Sequence, residues 1–292
     1  MSKIIRIKML CSWQNSKQLC DEWSNMCNIT NDNMCNTTYK WKNIEITWED
    51  ENIDYYVIIN HPQPNDFFIP EKTIIFQMEP KCAIRSWGVW AYPDENKFLY
   101  VANHKNHLNG VQLQIKTIPI EYPENRKKLL LSILSEKNFD PGHIKRINFI
   151  KELEKRNLNL IEIYGRENYH QFNNYKGRVI NDAKEKCFEI YKYCFQSENN
   201  WEHNYATEKI WEPIVCECLC FYWGCPNLED YLDPLCFVRL DLDNIDQSIN
   251  IIETAISEDW WSQRIDIIRK EKQKIINKLG FFPALEKIIK KL

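Results

Sequence analysis

Glycine is nearly missing from this chain, with 7 in 292 residues. Neither G-x-G-x-x-G nor G-x-x-x-x-G-K-[ST] occurs, so the glycine-rich loops that wrap phosphates in backbone N–H groups are excluded. Any phosphate must be met by side chains and helix N-termini. Net charge is lacking too: Lys+Arg 38 against Asp+Glu 41 leaves -3, no global field for nucleic acid. The basic stretches at 126–128 and 269–274 read as solvated helix faces. No apolar run approaches the ~20 residues of a membrane span, and the one at the N-terminus is broken by Arg6 and Lys8. With no signal peptide or anchor in view, the expectation is a soluble, cytoplasmic protein without a transmembrane segment. No internal repeat of about 20–50 residues is evident.

What is present points to an enzyme-sized α/β chain. The length exceeds the roughly 100–200 residues of one domain, so two domains are expected. Cysteine is plentiful at 12, but the chain is too long for a disulfide scaffold, and the thiols read as reduced. Aromatic residues reach 13%, with Trp 11 and Tyr 14. Such flat amphipathic side chains fill cores and also stack on sugar rings and bases.

Short apolar runs at 3–10, 55–60, 73–78 and 98–101 read as buried strands, the second ending at His61-Pro62 and the third at Glu79-Pro80. Buried strands with polar carboxyl ends suit an open α/β sheet, where ligands gather at those ends. Residues 118–125 hold two prolines and no periodicity, and read as a linker. Beyond it the order becomes strand 129–134, helix 144–156, strand 159–164, helix 183–191, strand 193–197, helix 207–218, strand 219–223 and strand 237–240. Helices at 247–256, 260–278 and 284–292 follow. That alternation favours a second parallel sheet flanked by helices. The domains are drawn at 1–122 and 123–292, with the helical tail kept in the second.

The densest polar stretch is 191–209, YKYCFQSENNWEHNYATEK. Ser197-Glu198-Asn199 follows an apolar strand. Thr207 is a plausible N-cap, and Glu208 would sit near the positive helix end. Tyr205 and Lys209 are four apart and share a face if the helix begins early enough. A helix N-terminus with a lysine beside it suits an anion. A capped surface helix with a solvated lysine fits the same residues.

Here the sequence resembles a known family, the alpha-1,3-fucosyltransferases of glycosyltransferase family 10. Its donor-site pattern YKF-x-L-x-FEN, a short loop and Y-[VI]-TEK is matched by Tyr191-Lys192-Tyr193-Cys194-Phe195-Gln196-Ser197-Glu198-Asn199 and Tyr205-Ala206-Thr207-Glu208-Lys209. Upstream, Ser135, a loop through Pro141-Gly142, and Arg146-Ile147-Asn148-Phe149 match the family's SN, loop and R-x-x-[FY]; Tyr164-Gly165-Arg166 matches its Y-G-R. Downstream, 219–238 follows the family's strand, turn and acidic-aromatic segment. These motifs span about half the chain. The first half matches more weakly, with Met78-Glu79-Pro80 the counterpart of an E-S-P-like segment.

The resemblance implies a GT-B fold of two Rossmann-like domains facing across a cleft. It implies inverting transfer of fucose from GDP-fucose to a hydroxyl of a glycan acceptor, as in protein glycosylation. It also implies roles. Arg146 would meet the donor phosphates with Lys209 beside them. Asn199, Tyr205 and Glu208 would line nucleotide and sugar, and Glu79 would be the general base. No cofactor or metal is required. Ser197, Ala206, Pro213 and Cys216-Glu217-Cys218 depart from the family around the sugar side, and Pro213 is expected to kink its helix. The same fold with another nucleotide-sugar donor, or a non-catalytic module binding nucleotide sugars or glycans, are the competing readings.

Four further signals have plain readings. Cys216-x-Cys218-x-Cys220 is read as buried packing, not a zinc site. Asp241-Leu242-Asp243 reads as a structural strand end. His61, His104 and His107 lie near strand ends of the first domain, where any of them could assist an acceptor hydroxyl. Trp201 sits inside the donor loop.

Overall fold

The computed structural model describes residues 3–29, 39–105, 108, 112–118, 122–123 and 125–292. His107, and residues 119–121 and 124 of the 118–125 linker, lie outside them. The chain divides into two compact units, Met1–Gln112 with Ile276–Leu292, and Leu113–Ile275.

In the first unit the chain runs β1 (Ile5–Cys11), α1 (Ser16–Ile29), β2 (Lys40–Trp41), β3 (Ile44–Thr47), β4 (Tyr55–Ile59), β5 (Thr73–Phe76), α2 (Lys81–Ile84) and β6 (Tyr100–Ala102). The sheet order is β2-β3-β1-β4-β5-β6, parallel throughout except for the β2–β3 pair. Strands β4 and β5 are apolar on both faces, as a covered parallel sheet requires, while β1 carries Arg6 and Lys8 on one of its faces. Leu10, Tyr56, Ile58 and Ile75 form one core, with Phe68, Trp90 and Phe98 packed against it.

The second unit runs β7 (Lys127–Leu134), α3 (Pro141–Arg156), β8 (Ile161–Gly165), β9 (Tyr175–Gly177), α4 (Lys184–Phe188), β10 (Tyr191–Ser197), α5 (Glu208–Val215), β11 (Leu219–Trp223), β12 (Phe237–Arg239), α6 (Ile245–Ser257) and α7 (Trp260–Lys274). Its order is β12-β11-β10-β7-β8-β9, all parallel. The chain enters at the middle strand, walks out to β9, returns across β7 to β10 and walks out to β12. The reversal beside β7 is a topological switch point, where the loops leaving β7 and β10 diverge and open a crevice at their carboxyl ends. Every residue of β10 is buried, consistent with a strand covered on both faces. Phe149 of α3 lies 4.8 Å from Phe195 of β10, ring to ring.

The last helix, α8 (Phe281–Ile289), packs in the first unit. Phe281 meets the Trp23 ring edge-on at 4.5 Å, and Phe282 stacks on Trp41 at 5.8 Å. The sequence boundary at 122/123 and this division therefore differ in where the tail goes. The reason is long-range aromatic packing, to which periodicity is blind. Among the described residues no helix is long and apolar enough to cross a membrane.

Two local expectations change. α5 does not continue through a kink at Pro213; it ends two residues later. Proline has no N–H for the Lys209 carbonyl, and the chain turns instead, with Cys218 N–H on the Pro213 carbonyl at 2.8 Å and Glu217 at φ 60°. The strands β2, β3 and β9 carry no sequence signal of the kind that marks the others, being short or polar.

Candidate functional site

Two helix starts and two strand ends build the site, all within the second unit. Asp140 and Pro141 open α3, a favoured N-cap followed by the one helical position where proline costs nothing. The third helical residue, His143, completes a capping box: its Nδ1 accepts the Asp140 backbone N–H at 3.2 Å. Gly142 lets this helix start lie directly on the main chain leaving β10. A Cβ there would stand 1.9 Å from the Glu198 carbonyl oxygen, and the Gly142 N–H reaches the Asn199 carbonyl at 3.0 Å. Arg146 lies one turn further along α3.

The second helix start is tied to the same strand end. Thr207 caps α5 by accepting from the Lys209 N–H. The fully buried Glu198 accepts from the Thr207 N–H at 2.8 Å, from the Thr207 hydroxyl at 2.7 Å and from the Tyr222 hydroxyl at 3.2 Å. Lys209 Nζ donates to Glu208 Oε1 at 3.0 Å and lies 3.7 Å from Glu198.

Between these elements is a cavity of about 340 Å³. Ile133, Leu134 and Ser135 line it from the end of β7, and Gln196 and Asn199 from the end of β10. His143 and Arg146 come from α3, Glu208, Lys209 and Glu212 from α5, and Lys184 and Phe188 from α4. It occupies the carboxyl-edge crevice that the strand order predicts for a ligand.

Its electrostatics favour an anion. Burial lowers the Arg146 guanidinium to about 10, against the pull of Glu198 and Glu208; at neutral pH it stays charged. Its Nε is buried with no hydrogen-bond partner among the described residues, and its Nη2 has the Ser135 hydroxyl at 3.4 Å. A buried cation with an unmatched donor calls for an external acceptor. Burial works against the Lys209 ammonium as well, but Glu208 and Glu198 overcome it and raise its pKa. For Glu208 burial acts upward, yet Lys209 and Lys184 bring it down to about 2. Burial raises Glu198 and Glu212. The latter is held by the Gln114 N–H at 2.6 Å and Lys184 at 3.2 Å.

Of the residues named from the sequence, Arg146, Asn199, Glu208 and Lys209 line this one cavity. Tyr205 is buried and close enough to bear on the Arg146 charge. Glu79 lies in the other unit, half-buried just beyond β5 at its carboxyl edge. The preceding Met78 N–H is held by the Asn60 side chain at 2.7 Å, with Asn60 itself at φ 65°. The sequence reading passed over His143, Lys184 and Glu212. His143 three before Arg146, and Glu212 four after Glu208, are helix-face spacings that would have pointed to them.

The remaining candidates settle as follows. His61 packs against Trp87 with ring centroids 4.8 Å apart, and His104 is half-buried. Asp243 N–H turns back onto Asp241, while the Asp243 carboxylate pairs with Lys145. Cys216, Cys218 and Cys220 are fully buried, and among the described residues no cluster suited to a metal ion occurs. Trp201 is exposed, resting on Trp223 at 5.4 Å.

Known structures bear on this geometry. An alpha1,3-fucosyltransferase solved with GDP superposes with a TM-score of 0.58 at 14% identity, over 96% of this chain and 92% of that one. The same type of enzyme with GDP-fucose gives 0.55 at 14%, over 91% and 82%. The fold is GT-B. At such identities the likeness speaks for the fold alone. No protein-family model matches the chain, and no curated protein does.

Proposed function

We propose that this GT-B protein is an inverting glycosyltransferase that moves a sugar, fucose from GDP-fucose, onto a hydroxyl of a glycan acceptor. The observation that carries this reading is the pairing of Arg146 and Lys209, far apart in sequence, on one cavity at the switch point of a parallel sheet. Two solved structures similar to the chain hold GDP and GDP-fucose, and the motif around Lys209 resembles the fucosyltransferase donor site.

The chemistry follows from charge. Cleavage of the sugar–phosphate bond leaves growing negative charge on the diphosphate. Arg146 meets it with a planar fork and Lys209 with a compact charge. The α3 and α5 starts add partial positive charge without any glycine-rich loop. Because these groups are fixed before reaction, their effect is largest where charge develops. Glu208 is ionised and held by Lys209, which suits it to accept hydrogen bonds from ribose or sugar hydroxyls. Inversion needs a base for the acceptor proton, and Glu79 fills that role in this reading; such a base contributes typically ~10²–10⁴-fold.

The test is a donor screen that follows acceptor-dependent nucleotide release with GDP-fucose, GDP-mannose and UDP-sugars. Turnover with GDP-fucose is the expected result. Turnover only with another donor would remove fucose and leave the transferase. Glu79→Gln is expected to lose about 10²-fold or more in kcat; full activity in that variant would remove Glu79 as the base.

A further inference from the structure

The fixed charges of the cavity cancel. Lys184 Nζ lies 3.2 Å from Glu212, whose other oxygen accepts the Gln114 N–H at 2.6 Å. Lys209 Nζ lies 3.0 Å from Glu208 and 3.7 Å from Glu198. Glu198 accepts two donors from Thr207 and one from Tyr222, as an ionised carboxylate does. Arg146 has no carboxylate of its own, and feels the same Glu198 and Glu208. Arg146, Lys184 and Lys209 thus stand against Glu198, Glu208 and Glu212. Hydrogen-bond donors are unmatched in this wall, but charge is not.

One lining residue is outside the balance. Lys137 sits in the loop that leaves β7 for α3, and it lines the cavity. It is exposed, and among the described residues its ammonium has neither an ion pair nor a hydrogen bond. The neighbouring Glu136 is exposed as well and is not part of the lining. Asp140, at the end of the same loop, is folded into the capping box of α3. The Lys137 charge still reaches the pocket: burial, then Arg146 and Lys137, hold the His143 ring down at about 4.

A sugar-linked diphosphate bears a negative charge on each phosphate. Against a wall of no net charge, its desolvation is offset by oriented donors alone, and a surplus cation adds Coulomb attraction. A paired lysine would have to leave its buried carboxylate to meet the ligand, which is costly. Lys137 has no partner to leave, and its four-carbon stem lets the ammonium stay in water until the ligand arrives.

We infer that Lys137 is a third phosphate-binding cation of the donor pocket, the one in surplus, which turns from solvent onto the diphosphate and holds the departing nucleotide more tightly than the intact donor. The inference rests on the transferase reading for its ligand. The second half of it follows from valence. Cleavage of the sugar–phosphate bond adds negative charge to the diphosphate, so the pull of Lys137 grows as the bond breaks.

The experiment compares ligands of falling charge on the full-length protein: GDP and GDP-fucose by calorimetry, and guanosine by ligand-observed NMR. Lys137→Met keeps most of the stem and removes the charge. It is expected to weaken GDP by about tenfold, the value of a hydrogen bond between charged groups, and GDP-fucose by less. Guanosine binding should not change. Lys137→Arg should retain most of the GDP affinity, and Lys137→Glu should lose about 10²-fold. The Lys137→Met deficit should shrink as salt is raised from about 0.05 to 0.5 M. Thermal melting should be unaltered, because no partner is lost in the folded protein. A Lys137→Met protein that binds GDP like the wild type, that loses guanosine in the same proportion, or whose deficit ignores salt overturns the inference and leaves the transferase standing. A wild-type protein that binds neither GDP nor GDP-fucose overturns both.

Discussion

Replacing Gly142 with alanine tests how the site is assembled. The added methyl would stand 1.9 Å from the Glu198 carbonyl oxygen and 2.8 and 2.9 Å from the Asn199 carbonyl carbon and oxygen. All three are main-chain atoms of a segment pinned by β10 and by Thr207, so no side chain can swing aside. Reaching ordinary contact requires the α3 start to retreat by about 1.5 Å. Helix propensity favours alanine by about 1 kcal/mol, and overpacking costs typically 1–3 kcal/mol. The Gly142–Asn199 hydrogen bond, about 1 kcal/mol, is lost as well. The net destabilisation is about 1–3 kcal/mol, and at roughly 2–4 °C per kcal/mol the melting temperature should fall by several degrees. The effect on the site is larger. Arg146 rides on the same helix one turn away, and a displacement of about 1 Å can cost 10²-fold in rate. Thermal melts and GDP calorimetry, run side by side, should show a modest loss of stability with at least about a tenfold loss of GDP affinity. A Gly142→Ala protein with unchanged melting and unchanged GDP binding would refute the close approach of α3 to the β10 loop.

Lys209→Ala should lower kcat by about 10²-fold and also destabilise the protein by several kcal/mol, because Glu198 and Glu208 lose their buried counter-charge; the stability deficit, followed by urea melts, should shrink as the pH is lowered toward the carboxylate range. Thr207→Val removes both the cap of α5 and the hydroxyl that Glu198 accepts from, and chemical denaturation should register a loss of about 1–3 kcal/mol. Stability should fall as the pH drops from 6.5 through about 4, since the unfolded chain takes a proton on His143 that the folded one resists until about 4. The urea midpoint of His143→Asn should vary less with pH over that window, and an unaltered slope would remove His143 as its source.

The strands of the second sheet were legible because they are unbroken apolar runs such as Leu219-Cys220-Phe221-Tyr222-Trp223, buried on both faces. Their lateral order was not, because pairing β7 with both β8 and β10 depends on crossover geometry and not on any one strand's composition. Thr207 announced a helix start through its side-chain chemistry, and Arg146 and Lys209 were found through a motif. Gly142 looked like an ordinary turn residue after Pro141; only the proximity of the Glu198 carbonyl reveals why a side chain is excluded. His143 was hidden for a related reason. The familiar capping box ends in Glu or Gln, and a histidine in that position reads as surface until its partner is known. Tyr175-Lys176-Gly177 has too few apolar residues to signal β9 at all.

The return of α8 to the first unit joins the residues made first to those made last. Trp23, Trp41 and Phe76 find their aromatic partners in Phe281 and Phe282, which a ribosome supplies only after every residue of the second unit has emerged. Until then these three rings lack the partners that α8 brings them. Shortening the chain before residue 281 would strip Trp23, Trp41 and Phe76 of that aromatic cover and expose apolar surface on the first unit.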